Sequence, residues 1–207
     1  RRGGGGGVGV GGGRGSGGGG LAGGGEGTPT VVGFKGDEAN FIVIERGGKL
    51  ALRVRDSQSP TLLSFNGIDY FDIDRGFRVE AEFTAHEAGR TMEIVNILGM
   101  VEPMMNPGKV SFNLGEQRYT LEALDEGDHR LFFVFADRTS GHDSYPAGRF
   151  VYADYPGADG RTVLDFNKAY NPPCAFNPYS TCPMPPPENR LDVSITAGEK
   201  KPRKTPE

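Results

Sequence analysis

Apolar residues at every second position recur in segment after segment of this chain, and no sustained 3.6-residue period replaces them. The segment FRVEAEF shows the pattern: Phe77, Val79, Ala81 and Phe83 share one face, while Arg78, Glu80 and Glu82 share the other. Strands patterned this way must pair with one another, since their main-chain groups and their apolar face both need partners. NFIVIER and KLALRVRD flank Gly47-Gly48, which predicts a tight hairpin. KVSFNLGEQRYTLEAL predicts a second about Gly115-Glu116, with Phe112 opposite Tyr119 and Val110 opposite Leu121. RLFFVFAD is apolar on both faces, as a central strand would be. RFVYADY and RTVLDFN, joined by PGADG, predict a third hairpin. About nine or ten mostly antiparallel strands without a helix give an all-β fold, a barrel or a sandwich, trailed by a long Pro/Asn-rich C-terminal loop.

Residues 1–27 are mostly glycine, with little to bury and maximal backbone entropy to lose, so a disordered tail is expected there. GVGVGG within it matches a dinucleotide-binding glycine pattern by chance, because no strand precedes it and no helix follows. Residues 28–199 read as a single β-rich domain, and 200–207, containing KKPRK, as a basic solvated tail. The first residue is Arg1 rather than Met, as in a fragment or processed product. A net charge of −4 and only three arginines in the glycine tract argue against a nucleic-acid partner. No apolar run approaches a membrane span and no secretory signal is visible, so no membrane partner and a cytoplasmic location are expected. No motif specifies a cofactor, a metal or an oligomeric state.

The third hairpin suggests a site. Closing it across its five-residue loop sets Tyr155 opposite Arg161, Phe150 opposite Phe166 and Tyr152 opposite Leu164. The other face then carries Arg149 opposite Asn167 and Val151 opposite Asp165, with Arg149 and Asp165 diagonal neighbours. DRTSGHDSYPAG enters and KAYNPPCAFNPYSTCP leaves at the open end. The expectation is a pocket between the 137–149 and 167–189 loops for a small polar or anionic ligand. Arg149 would orient its anionic or carbonyl group, and Asp165 would hold Arg149 or accept from ligand hydroxyls. Asn167 would share the base, Tyr145 and Asn171 would line the rim, and Asp137 stands nearby at the strand end.

Two other readings compete. A hydrolase would use Asp137, His142 or Cys174, although TSGHDSY places its candidates too close in sequence for a relay, and no G-x-S-x-G occurs. A structural or interaction domain without a pocket would use Asn167, Asn171, Asn177 and Asn189 to satisfy carbonyls that the prolines cannot. Whether the chain is an enzyme stays open. Cys174 and Cys182 are compatible with a disulfide, which would contribute roughly 2.5 kcal/mol, with buried inert thiols, or with a nucleophile. Metal ligation fits poorly, because the spacing exceeds the usual C-x2–4-C and only His86, His129 and His142 are at hand.

VIERGGKLALRVRDSQSP, FNGIDYF, FRVEAEF, LFFVFADRTSGHDSYPAGRF and LDFNKAYNPPCAFNPYSTCPMPPPENRL together resemble the domain-of-unknown-function family numbered 1684. That family is largely prokaryotic and has no assigned activity, so the resemblance implies a region of interest and no mechanism. The glycine tract stands where the family has a further N-terminal segment; if that segment completes the sheet, the domain here is short of strands.

Overall fold

The computed structural model describes residues 29–36, 38–46 and 48–203. The glycine tract at 1–27, its GVGVGG run and residues 204–207 lie outside the described residues. The chain forms two compact units that meet in sequence at Ser57 and Gln58. In the first, β1 (Val32–Phe34), β2 (Ala39–Arg46) and β3 (Lys49–Asp56) make an antiparallel sheet in that order. The expected hairpin is present, with Arg46 opposite Lys49 and Val43 opposite Leu52.

The second unit opens with one helical turn, α1 (Pro60–Leu63), where Pro60 begins the turn and has no hydrogen bond to lose. Seven strands follow: β4 (Arg78–Ala85), β5 (Thr91–Val95), β6 (Val101–Leu114), β7 (Gln117–Asp125), β8 (Arg130–Phe135), β9 (Arg149–Asp154) and β10 (Arg161–Asp165). Their order is β10-β4-β6-β7-β8-β9, with β5 paired to the first half of β6. The result is an all-β, mostly antiparallel, nearly closed barrel. The β6–β7 register sets Phe112 opposite Tyr119 and Val110 opposite Leu121, as the alternation predicts. A bulge between Met105 and Gly108 bends the long β6. Gly108 is required there: a Cβ would lie 2.4 Å from the Thr84 carbonyl oxygen and 2.5 Å from the Phe83 ring.

The barrel core is built from Val110, Phe112, Leu121, Phe133, Phe135 and Leu164, among others. A second cluster, including Phe132, Val134, Phe150 and Ile94, covers the other face of β8. β8 is therefore buried on both sides, which is why RLFFVF is apolar without alternation. The C-terminal segment 191–199 completes the core. Leu191, Val193, Ile195 and Ala197 alternate inward, while Asp192, Ser194 and Thr196 stay exposed. It is extended like a strand, but among the described residues none of the named strands pairs with it; main-chain bonds to Ala136 and Arg138 at one end and to Phe71 at the other hold it.

The third hairpin is corrected. β9 pairs with β8 and β10 pairs with β4, so the two segments stand at opposite ends of the strand order. Val163 faces Glu80 and Asp165 faces Arg78, not residues of β9. The faces change too. Val151, Ala153, Leu164 and Phe166 enter the barrel core together with the side of β9 that carries Arg149, whereas Phe150 and Tyr152 belong to the outer cluster. The physical reason is that β9 presents apolar residues on both faces, so alternation alone could not choose which one faced inward.

Candidate functional site

Arg149 and Asp165 do not meet. Arg149 starts β9 and points into the end of the barrel, where its side chain is fully buried. Nη2 donates to Asp137 Oδ2 at 2.8 Å and to the Ile195 carbonyl at 2.8 Å. Nη1 donates to the carbonyls of Ala197 and Glu199. Residues 195, 197 and 199 expose their carbonyls on one edge of an extended segment, so one guanidinium does the work of a neighbouring strand. Burial pulls the Arg149 pKa below its ordinary value, and the adjacent Asp137 carboxylate opposes that shift. Phe71 and Phe135 lie beside the guanidinium at 5.8 and 5.3 Å.

The neighbouring candidates are similarly engaged. Asp137 Oδ1 accepts from the backbone amides of Thr139 and Ile195. The Asn171 backbone N–H donates to Glu199 Oε2, and its side-chain Nδ2 donates to the Lys200 carbonyl. Tyr145 donates to the Cys174 carbonyl at 3.0 Å, so the 137–149 and 167–189 loops do touch; its pKa is pushed up to about 12, chiefly by burial. Asn167 ties the chain at Asp74, accepting from its N–H and donating to its carbonyl, and also donates to Asp165 Oδ1. Arg149 Nε and Asn171 Oδ1 lack a protein partner, and neither cleft described below is lined by these two residues.

The residues weighed for hydrolysis are not assembled. His142 is exposed on a turn, its backbone N–H bonded to the Thr139 carbonyl. Both cysteines are free thiols, and the Cys174 amide donates to Cys182 Sγ. Burial pushes the Cys182 pKa up to about 12, the opposite of nucleophile activation.

Open space lies elsewhere. One cleft, of about 310 Å³, sits over β4 and β6, but its charges already pair: Arg118 with Glu82 and Arg161 with Glu80. The other, of about 470 Å³, lies at the seam between β9 and β10, bordered by Arg78, Arg130, Tyr152, Asp165, Lys168 and Tyr170. Tyr152 stacks on Phe132 at 4.9 Å and lies nearly parallel to Tyr170 at 6.2 Å, with the Arg130 guanidinium 4.0 Å above its ring. Burial raises the pKa of both tyrosines, and the Glu126 carboxylate, which accepts from the Tyr152 hydroxyl, adds to the Tyr152 shift. Arg130 is held by Asp128, whereas no ion pair within 4 Å engages Arg78 or Lys168 among the described residues. Of the site residues expected from sequence, only Asp165 lines this cleft.

Sequence reasoning missed Glu199 and the seam residues. The period-two LDVSITA before GEK was a usable signal for a buried extended segment ending at Glu199. For Arg78 and Lys168 no local signal exists, since both look like ordinary solvated charges.

No match was found among curated proteins. A solved structure does match: the solution NMR structure of the uncharacterized protein from gene locus rrnAC0354 of Haloarcula marismortui. It is 34% identical, the match covers 66% of this chain and 77% of that one, and the TM-score is 0.55. The model of the family described as "Protein of unknown function (DUF1684)" matches residues 63–200, which contain the barrel and its C-terminal segment. The chain belongs to the DUF1684 family.

Proposed function

We propose that this domain binds a small anionic ligand in the cleft between β9 and β10. The observation that carries this reading is the pair of cations, Arg78 and Lys168, that no ion pair engages among the described residues, beside an aromatic wall where the barrel does not fully close. A guanidinium grips carboxylate or phosphate through two parallel hydrogen bonds, and an ammonium adds a point charge. The volume, about 470 Å³, falls within the usual size of small-molecule sites. The ligand chemistry is the one expected from the sequence, moved from Arg149 to Arg78 and Lys168, with Asp165 kept. Arg149 itself serves the fold, since its Nη atoms are engaged by Asp137 and by the C-terminal segment.

Citrate and inorganic phosphate, titrated into isotopically labelled protein, test the reading. Saturable amide shifts at Tyr152, Val163 and Lys168 are expected, weakened at least about tenfold in an Arg78→Ala/Lys168→Ala variant. Shifts that never saturate, or that are the same in the variant, would rule out the cleft.

A further inference from the structure

We infer that Cys174 and Cys182 are a reversible dithiol–disulfide couple, which low-molecular-weight disulfides oxidise to a bond that locks the base of the 174–182 loop. The couple is independent of the anion cleft, which neither cysteine lines.

The juxtaposition of the two residues carries the inference. The Cys174 backbone N–H donates to Cys182 Sγ at 3.1 Å. The amide nitrogen and Cβ of Cys174 are bonded to the same Cα, so the Cys182 sulfur stands beside the root of the Cys174 side chain. Rotation about the Cys174 Cα–Cβ bond carries its sulfur toward the other, and a disulfide needs the two sulfurs about 2.05 Å apart. Both side chains belong to one apolar cluster. Burial raises the Cys182 pKa, and the neighbouring Cys174 thiol adds to that shift. The chain has no third cysteine to compete.

The surrounding chain holds the pair together before any bond forms. Pro172 and Pro173 precede Cys174, whose carbonyl accepts from the Tyr145 hydroxyl at 3.0 Å. Pro183 follows Cys182, whose carbonyl accepts from the Ile97 N–H at 3.0 Å, and the Met184 N–H donates to the Val95 carbonyl at 2.8 Å. Fixed proline φ angles flank both cysteines and limit how far they can separate. Asn177, Pro178 and Tyr179 form the exposed tip between them. A bond at the base of this loop therefore links the contact with the 137–149 loop covalently to the contact with the end of β5.

Unequal access sets the order of the steps. Cys174 is half-buried and Cys182 is buried. Cys174 loses its proton, and its sulfur attacks one sulfur of the small disulfide, forming a mixed disulfide and releasing one small thiol. Cys182 then loses its proton, and its sulfur attacks the Cys174 sulfur, forming the Cys174–Cys182 bond and releasing the second small thiol. The protein gives up two hydrogens with their electrons, and the small disulfide is reduced to two thiols. Reduction enters at the more accessible Cys174 sulfur and must expel Cys182. A thiol whose pKa is pushed up to about 12 leaves slowly, so the bond persists once made.

The whole chain is incubated with oxidised glutathione, quenched in acid, unfolded, alkylated with N-ethylmaleimide and weighed intact. The expected product is a monomer that has lost two hydrogens and takes up no maleimide, with a thermal midpoint a few degrees above the reduced protein. Dithiothreitol should restore both thiols. In Cys182→Ser, glutathione is expected to remain on Cys174, and Cys174→Ser should take up none while folded. Wild type that keeps glutathione on Cys174, forms linked dimers, or still takes up two maleimides after prolonged oxidation would overturn the couple. A bond that forms without moving the thermal midpoint would overturn the lock. None of these results bears on the anion cleft.

Discussion

Arg149 is the residue on which the end of the barrel depends. It neutralises the buried Asp137 and satisfies the carbonyls of Ile195, Ala197 and Glu199. Removing one partner of such a pair leaves an uncompensated buried charge, which costs about 3–5 kcal/mol. Arg149→Met is thus expected to lower stability by that amount in urea unfolding, and Arg149→Met with Asp137→Asn to recover part of it. A single variant as stable as wild type would remove Arg149 from this role. The titrating groups make a second prediction. Cys182 and Tyr145 have pKa values raised from 9.0 and 10.0 to about 12, so the folded state holds these protons more tightly than the unfolded chain. Their contribution is complete below about pH 9 and disappears as pH rises toward 12. Stability should fall across that window, and Cys182 should resist alkylation at pH 8 until urea is added. Rapid native alkylation of Cys182 would contradict the buried thiol.

Among the strands, β6 shows how a local choice sets the sheet. Its bulge between Met105 and Gly108 lets β5 pair with one half and β4 with the other. β4 crosses so closely at Gly108 that any side chain meets backbone, which cannot yield as a flexible side chain could. Gly108→Ala should destabilise by about 1–3 kcal/mol, the usual range for overpacking, read as a lower thermal midpoint. Gly157→Ala, in the exposed β9–β10 loop, should change it little. Equal midpoints for both would mean that the crossing is looser than the geometry implies. At this scale the sequence was legible where one face is wet. FRVEAEF and the Val110/Leu121, Phe112/Tyr119 register followed directly from alternation. It was illegible at β9, where Arg149, Phe150 and Val151 are all buried and period two assigns no face.

For the second unit as a whole, the C-terminal segment is as much a part of the core as the strands. Leu191, Val193, Ile195 and Ala197 fill the barrel, and Gly198, Glu199 and Lys200 bond to Phe71, Ala169 and Asp69. A chain ending at Ser194 should therefore lose its cooperative thermal transition and its near-ultraviolet circular dichroism. Retention of a sharp transition at the wild-type midpoint would show the segment to be an accessory. Among the described residues no helix is long and apolar enough to cross a membrane.

Sequence alone determined the all-β class, two of the three hairpins and the central strand, because apolar alternation reports directly which side of a strand avoids water. It also identified Arg149 and Asp137 as polar residues at one end of the barrel. Which residues became partners was decided only in three dimensions. Arg149 found Asp137 and the 195–199 carbonyls instead of Asp165, and β10 made its ladder with β4 while only lying alongside β9. Both outcomes come from closing the sheet, which brings together segments far apart in the chain. Pairing across such distances is set by the best joint burial of all strands, and no single segment carries that information.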